Sequence, residues 1–125
     1  MNPIDLPDDG PHVEHFADGK VSAEGSYLDG LKHGIWTYYL RNGKVKATGK
    51  YERDELVGYW KWWRENGNPL QEGSFVDAVP HGEWKRYFAD GQVWDIGTWT
   101  NGKRTGEWIT YNMDGSLKSR KTYKG

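Results

Sequence analysis

Four tryptophans, Trp36, Trp60, Trp84 and Trp108, lie 24 residues apart without a slip. Gly34, Gly58, Gly82 and Gly106 keep the same step, and Gly10 extends it backwards. A second glycine series runs through Gly19, Gly43, Gly67, Gly91 and Gly115, and a third through Gly25, Gly49, Gly73 and Gly97. A period this strict defines a repeat array, and each residue has to be read by its place in the unit. The units fall at about 10–33, 34–57, 58–81 and 82–105, with a partial unit at 106–125. Residues 10–125 thus form one repeat domain. Residues 1–9, which hold two prolines and three aspartates, read as a flexible N-terminal arm.

Within a unit, Asn42-Gly43 separates two alternating segments, and the same place is held by Asp18-Gly19, Asn66-Gly67, Asp90-Gly91 and Asp114-Gly115. Asn-Gly and Asp-Gly favour a two-residue type I′ hairpin turn. That turn sets Arg41 opposite Lys44, Leu40 opposite Val45, Tyr38 opposite Ala47 and Trp36 opposite Gly49. The same register places Trp60 against Gly73 and Trp84 against Gly97, so each indole is expected to cover the bare backbone of its glycine partner. A longer loop then joins each hairpin to the next, and symmetric closure sets Tyr27 beside Trp36, Tyr51 beside Trp60, Phe75 beside Trp84 and Trp99 beside Trp108.

The fold expected is all-β, without significant helix. It is an antiparallel meander of about ten strands in a single elongated, curved sheet roughly 45 Å across the strands. One face carries Trp36, Tyr38, Leu40, Val45 and Gly49 with their equivalents Phe16, Val21, Phe88, Val93 and Leu117, and reads as the core. Arg64, Pro69 and Asn112 interrupt it. The opposite face is polar, with Thr37, Lys46, Thr48 and Lys50, and also carries an aromatic row of Tyr39, Trp63, Tyr87 and Tyr111, with Leu70 and Trp94 nearby. Tyr and Trp are common interface anchors, so these six residues are the candidate partner-binding set. Trp36, Trp60, Trp84 and Trp108, with Gly49, Gly73 and Gly97, are assigned structural roles.

The unit Gly25-x-Tyr27-x-x-Gly30-x-x-x-Gly34-x-Trp36-x-x-Tyr39-x-x-x-Gly43 resembles the MORN-repeat variant, and recurs through Gly115. Asp54 and Ala78 depart from it where the loop glycine stands in other copies. In bacteria the pattern is similar to the YwqK-type antitoxin family. The resemblance implies a non-enzymatic protein that binds and neutralises a toxin.

Composition narrows the alternatives. The chain has no cysteine, which excludes disulfides and thiolate chemistry, and its start lacks a secretory pattern, so a cytoplasmic location is the simplest reading. A net charge of −1 offers no support for nucleic-acid binding, and without a basic cluster on the sheet it argues against the membrane or phosphoinositide role that some MORN proteins are given. Self-association through a face or an edge is a third class. The charge is uneven: residues 1–24 hold six acids against Lys20, whereas residues 101–125 hold six bases against Glu107 and Asp114. Of the four histidines, His33 and His81 hold equivalent loop positions, and His12 and His15 would point to opposite faces, so neither a catalytic nor a metal site is expected. Arg86 and Asp95 read as a surface ion pair. No cofactor is expected.

Overall fold

The computed structural model describes residues 7–124. Among them are ten strands and no helix: β1 (Gly10–His15), β2 (Val21–Leu28), β3 (Leu31–Tyr39), β4 (Val45–Glu52), β5 (Glu55–Trp63), β6 (Pro69–Val76), β7 (Val79–Tyr87), β8 (Val93–Thr100), β9 (Lys103–Tyr111) and β10 (Leu117–Lys124). They form one open sheet in sequence order, every neighbouring pair antiparallel. The expected arm over residues 1–9 lies mostly outside the described residues. Its last residue is anchored: the Asp29 amide donates to the Asp9 carboxylate at 2.7 Å.

The two kinds of turn are exchanged relative to expectation. The Asn-Gly and Asp-Gly sites are three-residue loops. Leu40 N donates to Lys44 O at 2.8 Å and Gly43 N to Leu40 O at 2.9 Å, and the same pair of bonds closes all five loops. Gly43 has a positive φ of 86° while Asn42 does not, which is a type I turn followed by a bulged glycine. The Asn or Asp has a different job here. Its side chain accepts from the amide two residues on, as in Lys44 N to Asn42 Oδ1 at 2.9 Å. The type I′ turns are at the other ends of the strands, where the sequence suggested longer loops. Asp29-Gly30, Arg53-Asp54, Asp77-Ala78 and Asn101-Gly102 all have positive φ at both residues.

The extra loop residue is absorbed one step into the ladder. Tyr38 pairs with Ala47 and Tyr39 with Val45, which leaves Lys46 bulged. The expected pairs of Leu40 with Val45 and Arg41 with Lys44 are therefore absent. Beyond the bulge the register is the expected one, and Trp36–Gly49, Trp60–Gly73 and Trp84–Gly97 are direct partners. The bulge also changes faces. Val21 lies with Tyr39, and Val93 with Tyr111, on the side away from the tryptophans, not on the core face.

Each indole leans the other way from its direct partner. Trp36 covers Gly25, Trp60 covers Gly49, Trp84 covers Gly73 and Trp108 covers Gly97; a Cβ on Gly49 would sit 2.1 Å from the Trp60 ring. Room for this comes from a second irregularity. Between β2 and β3, Glu24 pairs with Thr37 and Ser26 with His33, so Gly25 alone faces Gly34, Ile35 and Trp36. The indole N–H of Trp36 donates to the Ser26 carbonyl at 2.9 Å, and Trp60, Trp84 and Trp108 repeat the bond to Lys50, Ser74 and Thr98. Tyr27 pairs in backbone register with Lys32, not Trp36. Its ring nevertheless meets Trp36 edge-on at 5.2 Å, as Tyr51 meets Trp60 at 5.0 Å and Phe75 meets Trp84 at 5.1 Å. Packed this way, Trp36 and Trp60 are 0% and 1% exposed in a sheet with no second layer.

Candidate functional site

On the face away from the tryptophans, the aromatic row is tied down by carboxylates. The Tyr39 hydroxyl donates to Glu24, and the hydroxyls of Tyr59 and Tyr87 both donate to Glu72, one to each carboxylate oxygen. Lys61 Nζ stands 3.8 Å from Glu72 and 5.3 Å from the centre of the Trp63 ring. Partial burial disfavours the Glu72 anion, but the two tyrosine hydroxyls and the charges of Lys61 and Lys85 outweigh it and hold the carboxyl below its ordinary range. Burial, with the bond to Glu72 adding to it, pushes the Tyr87 phenol up to about 12. Tyr59 and Tyr87 are thus fixed on one ionised group at the middle of the sheet, with Lys61 between that group and the Trp63 ring. Tyr39 and Tyr111 each border an open groove between successive hairpin loops, of about 530 Å³ beside Arg41 and about 490 Å³ beside Lys85.

Trp94 belongs to the other face. It is the bulged residue between Val93 and Asp95, and its ring stacks on Phe88 at 5.7 Å with the Arg86 guanidinium 3.9 Å away. Leu70 holds the equivalent bulge position in β6, between Pro69 and Gln71. Sequence alternation placed both near the tyrosine row because it could not see the bulge. The six candidates therefore divide: Tyr39, Trp63, Tyr87 and Tyr111 share one face, Trp94 stands on the opposite one, and Leu70 is the bulged residue of β6.

The Trp face itself changes character along the array. In its first half the rings run on without a break: Trp60 and Trp62 stack at 5.8 Å, and Trp62 and Trp84 at 5.9 Å. The position two beyond the core tryptophan is Tyr38, then Trp62, then Arg86, then Thr110. Its partner across the hairpin is Ala47, then Gln71, then Asp95, then Ser119. Loss of the rings opens a cleft of about 210 Å³ between Trp84, Trp99 and Trp108, and a second of about 240 Å³ toward β10. Arg86 and Asp95, expected as a surface pair, are instead half in the core. Asp95 is 5% exposed, and Arg86 Nε reaches its two carboxylate oxygens at 3.0 and 3.2 Å. The bond to Asp95 holds the Arg86 pKa above its usual value despite partial desolvation.

Sequence reasoning passed over Glu72, Lys32 and Arg104. The signal for Glu72 was present in its spacing, 15 residues before Tyr87, as Glu24 is before Tyr39. The cations could not be found that way, because their ring partners are gathered from two strands for Lys32 and three for Arg104. Among the described residues, no three histidines or carboxylates converge as a metal site would require.

These features define a single-layer β-hairpin repeat scaffold with two unlike faces. The chain belongs to the MORN repeat variant family, whose pattern matches residues 32–53, 56–77, 80–101 and 104–124, more than half of the chain. MORN repeats are generally non-catalytic scaffolds. The first hairpin, β1–β2, has the same architecture outside the matched segments. Comparison with curated proteins gives no match. Among solved structures, a chain of the GtfA/B complex bound to UDP and GlcNAc aligns over 98% of this chain at 12% identity, with a TM-score of 0.34. This chain spans 25% of that one, and a likeness of that degree carries no argument about function.

Proposed function

We propose that this protein is a non-enzymatic, protein-binding MORN scaffold that acts as an antitoxin or immunity protein, neutralising a toxin by direct contact. The observation that carries the binding reading is the row of Tyr39, Trp63, Tyr87 and Tyr111. These aromatics are not spent on the tryptophan core, yet Tyr39 and Tyr87 are held in fixed positions by Glu24 and Glu72. Rigid aromatics lose little conformational freedom on association, which makes them efficient anchors. The antitoxin reading rests on the resemblance of the repeat units to the YwqK-type family. Its location in the cytoplasm is part of the same proposal.

The test has two readouts on one set of variants. Tyr39→Ala and Trp63→Ala should weaken retention of the native-host partner, identified by mass spectrometry, by tenfold or more per residue, an effect of about 1.4 kcal/mol or above. Their melting temperatures should fall only slightly. Equal loss of folding and of retention would assign the row to stability alone. If the retained protein is harmless when expressed without this chain, the antitoxin reading fails and the scaffold reading stands.

A further inference from the structure

Lys32 and Arg104 hold the same place in their units, 72 residues apart. Lys32 is enclosed. Its ammonium lies 5.2, 5.6 and 5.1 Å from the rings of Trp36, Tyr38 and Tyr51, and donates to the Tyr38 hydroxyl at 3.0 Å. Arg104 has the equivalent of two of those rings, Trp108 at 4.6 Å and Tyr123 at 5.8 Å, with Trp99 at 5.7 Å. The third ring is replaced by Thr110, and opposite it Ala47 becomes Ser119. Loss of that ring leaves the 240 Å³ cleft directly beside the guanidinium, and Ser119 adds a hydroxyl to its lining.

The same cleft shows what such a guanidinium takes. Its other wall is Arg86, stacked on Trp94 and gripping the Asp95 carboxylate through its edge. Stacking on an indole leaves the in-plane N–H fork of an arginine free for a planar carboxylate. The Arg104 guanidinium lies 4.6 Å from the Trp108 ring centre, with one Nη donating to the Tyr123 hydroxyl at 3.4 Å and its remaining N–H groups without a carboxylate among the described residues. Among the described residues, no carboxylate comes within 4.0 Å of it, nor of Lys121, which lines the same cleft from β10. Lys121 stands where the interior strands carry Gly49, Gly73 and Gly97. Those glycines are required by the tryptophan of the following strand. Among the described residues β10 is the edge strand and no tryptophan lies over Lys121, so a long cationic side chain fits there. With Asp95 neutralised by Arg86, the cleft keeps two positive charges over an aromatic floor, with two hydroxyls at its base.

We propose that this cleft binds a carboxylate from an acidic segment of a partner protein, with the guanidinium of Arg104 as its main ligand and Lys121 as the second cation. The proposal rests on the scaffold reading and places a contact on the face opposite the tyrosine row. The probe is hexaglutamate, titrated against the full chain by calorimetry. It should bind, weaken as salt is raised, and lose about tenfold in affinity in Arg104→Gln and several-fold in Lys121→Gln. Lys50→Gln removes the same charge from exposed β4 and should bind as the native chain does. Lys121→Gln, on the edge strand, keeps the test valid should Arg104→Gln fold poorly. Equal losses in all three variants would reduce the effect to net charge and overturn the site. Glutarate or inorganic phosphate binding as tightly as hexaglutamate would overturn a protein segment as the source. Native-host partner retention, measured on Arg104→Gln in parallel, separates the two readings. Retention without change overturns the cleft and leaves the scaffold. No retention by the native chain overturns the scaffold even if hexaglutamate binds.

Discussion

The glycines of this protein serve two different constraints, and substitution can tell them apart. Gly49 has ordinary backbone geometry but no room, since its Cβ would lie 2.1 Å from the Trp60 ring. Gly34 has room, with nothing within 4 Å of an added Cβ, but a φ of 75°. Gly49→Val should therefore cost about 3 kcal/mol or more by displacing a buried indole and its bond to the Lys50 carbonyl. Gly34→Ala should cost only about 1–2 kcal/mol of backbone strain. Urea denaturation of the two variants checks the order; a Gly49→Val protein as stable as the native one would remove the packing role of the glycine. The sequence paired Trp36 with Gly49 correctly, since both positions recur with the period. It could not show the direction in which the ring leans, which depends on the space opened by the bulge at Gly34 and Ile35. The glycine under each tryptophan therefore lies on the preceding strand.

At the level of the hairpin, the turns show how local preference yields to context. Asp-Gly and Asn-Gly fit a type I′ turn, yet here they serve a type I turn with a bulged glycine, where the acid or amide accepts from the amide two residues on. The true type I′ turns include Arg53-Asp54 and Asp77-Ala78, which have no glycine. Their conformation is imposed by the strands on either side, Glu52 pairing with Glu55 and Val76 with Val79. Ala78 holds a φ of 64° without compensation from its side chain. Ala78→Gly should therefore stabilise the protein by about 1 kcal/mol. Asp54→Gly should gain less than that, because it would also lose the 2.7 Å bond from the Lys32 amide to the Asp54 carboxylate. Thermal melts of both variants measure the difference, and an equal gain would mean that the Asp54 bond contributes nothing. Periodicity marked these loops but not their length, because turn length is set by strand pairing on both sides.

Over the whole molecule, each hairpin meets only its neighbours in sequence, since the sheet runs β1 to β10 in chain order. Stability in such an array is close to a sum of unit and interface contributions. Excision of residues 58–81 joins Val57 to Gly82 in phase and brings Trp84 over Gly49 in place of Trp60. The shortened protein should fold cooperatively with a lower melting temperature, whereas excision of 58–69 should abolish the cooperative transition by putting the core face into solvent. Circular dichroism melts of the two deletions settle it, and a folded 12-residue deletion would contradict the one-register sheet. By itself, the sequence determined the period, the strand count, the open antiparallel sheet and the tryptophan core, because all of these repeat and each copy reinforces the others. Tertiary structure alone decided which face the bulged residues join. It moved Trp94 beside Arg86 and Val93 beside Tyr111, since a single extra residue inverts the alternation on which a face is read. It also decided where the array departs from itself. Arg86, Asp95, Thr110 and Ser119 are scattered in sequence and recur in no other unit, and only the pairing of β7 through β10 gathers them around one cleft beside Arg104.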